Sequence, residues 1–169
     1  MRIERKRAPR KNLFALLDAF AIVAAESDTL VLIGDGPLKQ SLISHSKTIG
    51  ISERILFVGA RAYSDIPKLL AAIDTVILPS AVEVWGLVVN EALAAGRHVI
   101  VSDRCGVVRS IDQMLGVFVS TTTPQSIGER MIASRKAWRG PISEPQILPY
   151  TPGAFAETFL AAIEATLAK

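Results

Sequence analysis

The sequence holds a single cysteine, Cys105, and two histidines, His45 and His98, among 169 residues. One cysteine excludes an intramolecular disulfide and offers no thiolate cluster for a metal, which fits a reducing compartment. The histidines are isolated, and no D-x-D or H-E-x-x-H spacing occurs, so both read as packing or surface residues and no metal is expected. No apolar run approaches the roughly 18–20 residues that span a bilayer, and no secretory leader pattern opens the chain. The expectation is a cytoplasmic protein with at most peripheral contact at the inner face of a membrane. A net charge of +3 is too small to argue for nucleic acid. Internal repeats and low-complexity segments are also missing.

What remains is an ordinary globular composition, 50% hydrophobic and 21% charged. The length suits one domain that buries about 70% of its unfolded surface. Helical and strand-like segments alternate. Asn12 to Glu26 carries Leu13, Leu16, Leu17, Phe20 and Val23 at helical spacing. Thr29 to Ile33, Ile55 to Val58, Thr75 to Leu78, His98 to Val101 and Gly116 to Val119 read as short buried strands. Between them lie helices to about Thr48, over Asp65 to Ala72 with Ser64 as its cap, and around Glu91. Thr123 should cap a helix from Pro124 to about Trp138. After a crossing with four prolines between Arg139 and Pro152, a last amphipathic helix covers Ala154 to Leu167. Such alternation predicts a Rossmann-like three-layer α/β/α sandwich with a mostly parallel sheet of about five or six strands.

The densest chemistry lies in Pro79 to Ser102, PSAVEVWGLVVNEALAAGRHVIVS. It is one strand–loop–helix–strand unit, and parallel sheets bind ligands at the carboxyl ends of their strands. Glu83 falls in the loop and Glu91 about one turn into the helix, so both can face one pocket. The backbone N–H groups of Gly86 and Leu87 stand where the helix starts, a position suited to phosphate. Glu91 among Leu87, Val88, Ala92 and Leu93 is awkward without a partner, and a ribose diol can donate to it twice. Trp85 could simply pack its ring on the sheet, and Glu83 could be solvated.

Ser80, Glu83, Trp85, Gly86, Leu87, Val88, Glu91, Ala92, Ala94 and Gly96 stand in the register S-x-x-E-x-[FW]-G-L-V-x-x-E-A-x-A-x-G. This resembles the signature of the retaining glycosyltransferases of family four, group 1 glycosyltransferases with the two-domain GT-B fold. The sequence departs from it at Val84, where relatives often have Gly or Pro, and at Arg97-His98. The resemblance covers nearly the whole chain and only the C-terminal, donor-binding half of such an enzyme. It implies a domain over residues 1–169 that binds a nucleotide-diphosphate sugar as donor substrate, without a cofactor, for retaining transfer to an acceptor hydroxyl. Polysaccharide or glycoconjugate synthesis would be the setting, and an N-terminal acceptor domain would be a separate partner. It also implies site roles: Glu83 against the donor sugar, Glu91 on the ribose, and Val84 to Val88 around the donor. The backbone at Val58 and Gly59 would lie beside the base.

The first eleven residues contain six basic side chains, Arg2, Arg5, Lys6, Arg7, Arg10 and Lys11. A solvated chain end and a polybasic arm for a membrane or nucleic acid are two readings, the second without interleaved aromatics. The resemblance supplies a third, in which Lys6 and Lys11 neutralise the departing diphosphate in place of a metal. Against it, the apolar first strand of relatives is largely missing, and Arg7 replaces their usual Leu. Gly34-Asp35-Gly36-Pro37 lacks the third glycine of a dinucleotide fingerprint, so a structural turn with Pro37 opening the next helix fits better. A non-catalytic nucleotide-binding subunit, or a Rossmann-like epimerase or NAD-dependent enzyme, stays open as the alternative.

Overall fold

The computed structural model describes residues 10–167; Lys6, expected at the diphosphate, lies outside them. Five parallel strands alternate with helices. In chain order these are α1 (Leu13–Val23), β1 (Leu30–Ile33), α2 (Lys39–Thr48), β2 (Ile55–Gly59) and α3 (Ile66–Ala71). There follow β3 (Thr75–Leu78), α4 (Leu87–Ala94), β4 (His98–Ser102), α5 (Val108–Ile111), β5 (Val117–Ser120), α6 (Pro124–Ala137) and α7 (Pro152–Leu167). This is the expected α/β sandwich. Among the described residues its strands form two hydrogen-bonded sets, β1 with β2 and β3-β4-β5.

β4 is buried at all five positions, and its residues split between the two faces as strand alternation requires. Val99 and Val101 join Leu70, Leu78, Val89, Leu93, Val107 and Ile111 in one core, under α3, α4 and α5. The second core joins Leu16, Leu17, Ala19 and Phe20 of α1 to Leu30, Leu42, Ile55 and Ile127, with Ile77 of β3 packed against it. α1 lies along α6 in that layer.

Two local expectations fail for identifiable reasons. Ser64 does not cap α3: residues Tyr63–Asp65 form a 3₁₀ turn, Asp65 takes the cap position without a side-chain bond, and Pro67 sits in the first helical turn. Pro37 does not open α2, which starts two residues later at Lys39, because Gly36 O closes a turn on Lys39 N at 3.2 Å. Thr123 caps α6 as the sequence predicts, its hydroxyl accepting from Ser126 N at 3.3 Å. Both histidines pack or pair within the protein. His98 is buried, with Nδ1 3.0 Å from Ser134 Oγ and its ring on Trp138, while His45 pairs with Asp18 at 2.6 Å.

Candidate donor site at the carboxyl ends of the strands

Lys11 is fixed from both sides. Arg10 O accepts from Ala81 N at 2.8 Å, and Asn12 Nδ2 donates to Thr122 O at 2.8 Å. Asn12 takes a left-handed φ of 53°, a conformation this residue type tolerates better than most. Residue 11 is therefore strung between the loop after β3 and the loop after β5. Its Nζ donates to Glu83 Oε2 at 2.5 Å, with the lysine side chain 59% exposed and the carboxylate 18%. These two residues, each named from the sequence and 72 positions apart, are thus in direct contact.

The backbone of Glu83 is pinned as well. It bridges Cys105 in parallel fashion, its O accepting from Gly106 N at 3.1 Å and its N donating to Arg104 O at 3.4 Å. Gly106 is needed here, because a Cβ at that position would stand 2.0 Å from Val84 O. Gly86 precedes α4 at φ 98°, and a Cβ there would stand 2.6 Å from Leu78 Cδ2. That conformation, closed to most side chains, swings the chain off β3 and starts α4 against the strand end. The first N–H groups of the eight-residue helix, around Leu87 and Val88, are those no residue within a helix can satisfy.

Glu91 also has a partner that sequence reasoning did not foresee. Tyr63 Oη donates to Glu91 Oε1 at 3.0 Å, with the tyrosine 78% exposed. The carboxylate raises the Tyr63 pKa, chiefly through that hydrogen bond. Tyr63 lies four residues beyond Gly59, so the chain leaving β2 at Val58 and Gly59 is led to the α4 carboxylate. No local pattern marks this contact, since the partners are 28 residues apart. Burial, and then the charge of Glu83, push the Cys105 thiol up, so it is a packing residue rather than a nucleophile.

Of the other predicted residues, Val84, Trp85 and Leu87 are exposed. Trp85 is 42% exposed, so its ring is partly covered and partly open to solvent. Glu83 and Glu91 each hold a different partner, and no contact joins the two carboxylates among the described residues. Gly34-Asp35-Gly36 closes on itself: Gly36 N donates to Asp35 Oδ1 at 2.8 Å, and Lys39 Nζ reaches Asp35 Oδ2 at 3.4 Å. Those two groups, Gly36 N–H first, lower the Asp35 pKa. The turn is structural.

A parallel α/β fold carrying a lysine–glutamate pair and a helix N-terminus at its strand ends is Rossmann-like, and such folds hold ligands at that edge. Comparison with known proteins narrows the class. The sequence model described as glycosyl transferases group 1 matches residues 5–135, and this chain belongs to that family. An uncharacterized glycosyltransferase of Methanocaldococcus jannaschii is 31% identical over 107 residues, 63% of this chain and 27% of the relative. The N-acetyl-alpha-D-glucosaminyl L-malate synthase of Bacillus anthracis is 37% identical over 87 residues, 51% of this chain and 22% of the relative. The matched region thus spans about a quarter of these relatives' lengths.

Among solved structures, Anabaena Alr3699/HepE in complex with UDP superposes with a TM-score of 0.67 at 28% identity, over 76% of this chain and 36% of that one. The C-terminal domain of a group 1 family glycosyltransferase, LpcC of Francisella tularensis, gives 0.66 at 26% identity, covering 75% of this chain and 70% of that one. Among the described residues, no helix is long and apolar enough to cross a membrane.

Proposed function

We propose that this chain is the donor-binding half of a retaining glycosyltransferase of family four, the C-terminal domain of a GT-B enzyme. The observation that carries the reading is the Lys11–Glu83 contact, held by tethers to three strand-end loops beside the N-terminus of α4. A nucleotide-diphosphate sugar laid across this surface meets the α4 N–H groups and Lys11 with its diphosphate, and Glu91 with its ribose. Glu83 then faces the sugar hydroxyls. Lys11 and the helix N-terminus stabilise charge as the diphosphate leaves, which requires neither a metal nor an enzyme nucleophile. The coverage of the Francisella C-terminal domain supports the half-enzyme reading, and the UDP complex of the Anabaena neighbour supports a nucleotide sugar as donor. An N-terminal acceptor domain is the partner, so the chain alone should transfer sugar slowly or not at all. Sugar transfer to an acceptor hydroxyl in polysaccharide or glycoconjugate synthesis, at the cytoplasmic side, is the proposed setting. The self-closed Asp35 turn argues against the NAD alternative.

The test is calorimetric titration with UDP, GDP, ADP and NAD, repeated on Glu91→Ala and Lys11→Met. Loss of a hydrogen bond to a charged group is worth about 1.5–3 kcal/mol, so Glu91→Ala should weaken the preferred diphosphate about tenfold or more. Lys11→Met should weaken the diphosphate while leaving the parent nucleoside unchanged, because only the former carries phosphate. Binding of NAD in preference to every diphosphate, or a diphosphate affinity untouched by both substitutions, refutes the reading.

A further inference from the structure

Glu91 is half-buried on α4, four residues after exposed Leu87 and so on the same stripe of the helix. Its Oε1 accepts from Tyr63 Oη at 3.0 Å, and among the described residues Oε2 has no partner. The tyrosine is held by its backbone rather than by its ring. Residues Tyr63–Asp65 form a 3₁₀ turn, closed by Asp65 N donating to Ala62 O at 3.0 Å, and Pro67 follows in the first turn of α3. The side chain itself is exposed. A rotation about χ1 therefore lifts the hydroxyl off Glu91 with little packing lost and no movement of the turn. A ring this open also covers the carboxylate from the solvent side, the side from which a ligand arrives. The raised Tyr63 pKa keeps the phenol protonated, so it is a hydrogen-bond donor throughout the neutral range.

We propose that Tyr63 is a specificity-determining residue, whose hydroxyl and one ribose hydroxyl of a bound nucleotide use the same acceptor, Glu91 Oε1, in turn. This rests on the donor-site reading, in which Glu91 holds the ribose. The consequence follows from counting donors and acceptors. A carboxylate with both oxygens open gains two charge-assisted hydrogen bonds from a diol. With Tyr63 in place, the second of these is an exchange of one hydroxyl donor for another, and the released phenol goes to water. A ribose that offers a single hydroxyl takes Oε2 and leaves the tyrosine where it is. Tyr63 thus narrows the preference of the site for a ribonucleotide over a deoxynucleotide, and loss of its hydroxyl widens that preference.

The experiment is a cycle of proteins against ligands. Wild type, Tyr63→Phe, Glu91→Ala and the double variant are titrated calorimetrically with UDP and GDP, each also in its 2′-deoxy and 3′-deoxy forms. Tyr63→Phe should tighten the preferred ribonucleotide about threefold to tenfold, at or below the value of one hydrogen bond to a charged group because the phenol is exposed. At least one of its deoxy forms should stay within about twofold of wild type. In the Glu91→Ala background, Tyr63→Phe should change nothing, since the shared acceptor is gone. An equal gain for all three forms would make Tyr63 a general obstruction and overturns the proposal. Weaker ribonucleotide binding by Tyr63→Phe, or an effect that persists without Glu91, does the same. Those outcomes leave the donor-site reading standing wherever Glu91→Ala weakens the nucleotide. Failure of every nucleotide to bind, or binding indifferent to Glu91→Ala, refutes that reading and the proposal together.

Discussion

Four glycines separate the two costs that a methyl group can meet, and substitution to alanine should rank them in a fixed order. At Gly36 an added Cβ meets nothing within 4 Å and the backbone is ordinary. Gly36→Ala should be neutral or stabilise by up to about 1 kcal/mol, through the unfolded chain. Gly140 has open space but φ 108°, so its alanine should cost about 1–2 kcal/mol in backbone strain. At Gly106 the obstacle is a backbone oxygen, Val84 O, at 2.0 Å. An ordinary carbon–oxygen contact is about 3.3–3.6 Å, so the 83–84 loop must retreat by more than an ångström. That movement breaks the Gly106 N–Glu83 O bond as well as overpacking the site, for about 2–4 kcal/mol. Gly86 combines φ 98° with a contact of 2.6 Å to buried Leu78, again about 2–5 kcal/mol. At about 2–4 °C per kcal/mol for a chain of this size, Gly106→Ala and Gly86→Ala should melt roughly 4–20 °C below Gly36→Ala. Thermal and urea unfolding of the four variants measure this directly. If Gly106→Ala unfolds within a degree or two of Gly36→Ala, the close approach of the two loops that positions Glu83 is wrong.

The remaining predictions concern titration and competition. Tyr63→Phe removes the hydroxyl that donates to Glu91, so the preferred nucleoside diphosphate should bind more tightly; weaker binding would show that Tyr63 contacts the ligand instead of competing with it. Burial lowers the His98 pKa, against the opposing effects of Ser134 and Asp74. The unfolded chain therefore takes up this proton first as pH falls. The stability from a neutral His98 is complete above about pH 6.5 and is lost as pH drops through 6.5 toward the lower folded value. Urea midpoints between pH 5 and 7.5 should show that decline, and His98→Gln should reduce it.

The sequence was most legible where one local rule was sufficient. β3, β4 and α4 follow from apolar runs bracketed by Pro79 and Gly96, and the Thr123 cap from a threonine before proline. The motif also pointed to Glu83, and the family resemblance pointed to Lys11, so both halves of the contact could be named before their geometry was known. Legibility failed where partners are distant. Tyr63 reaches Glu91 through a 3₁₀ turn that Ser64 alone could not reveal. The four-residue helix α5 is too short to show a period.

The packing of α1 has a consequence for the order in which the chain is assembled. Its neighbour α6 begins 101 residues after α1 ends. Gly128 of α6 admits Val23 at a distance where a Cβ would be 2.9 Å from its Cγ1. Arg135 then clamps the end of α1, donating to Val23 O at 3.3 Å and to Asp28. During synthesis, α1 is made first yet must wait with Ala19 and Phe20 uncovered until residue 135 has left the ribosome. Closing so long a loop makes folding slow. A chain halted before α6 would carry the complete Lys11–Glu83 sequence and still lack the element that holds the lysine's helix in place.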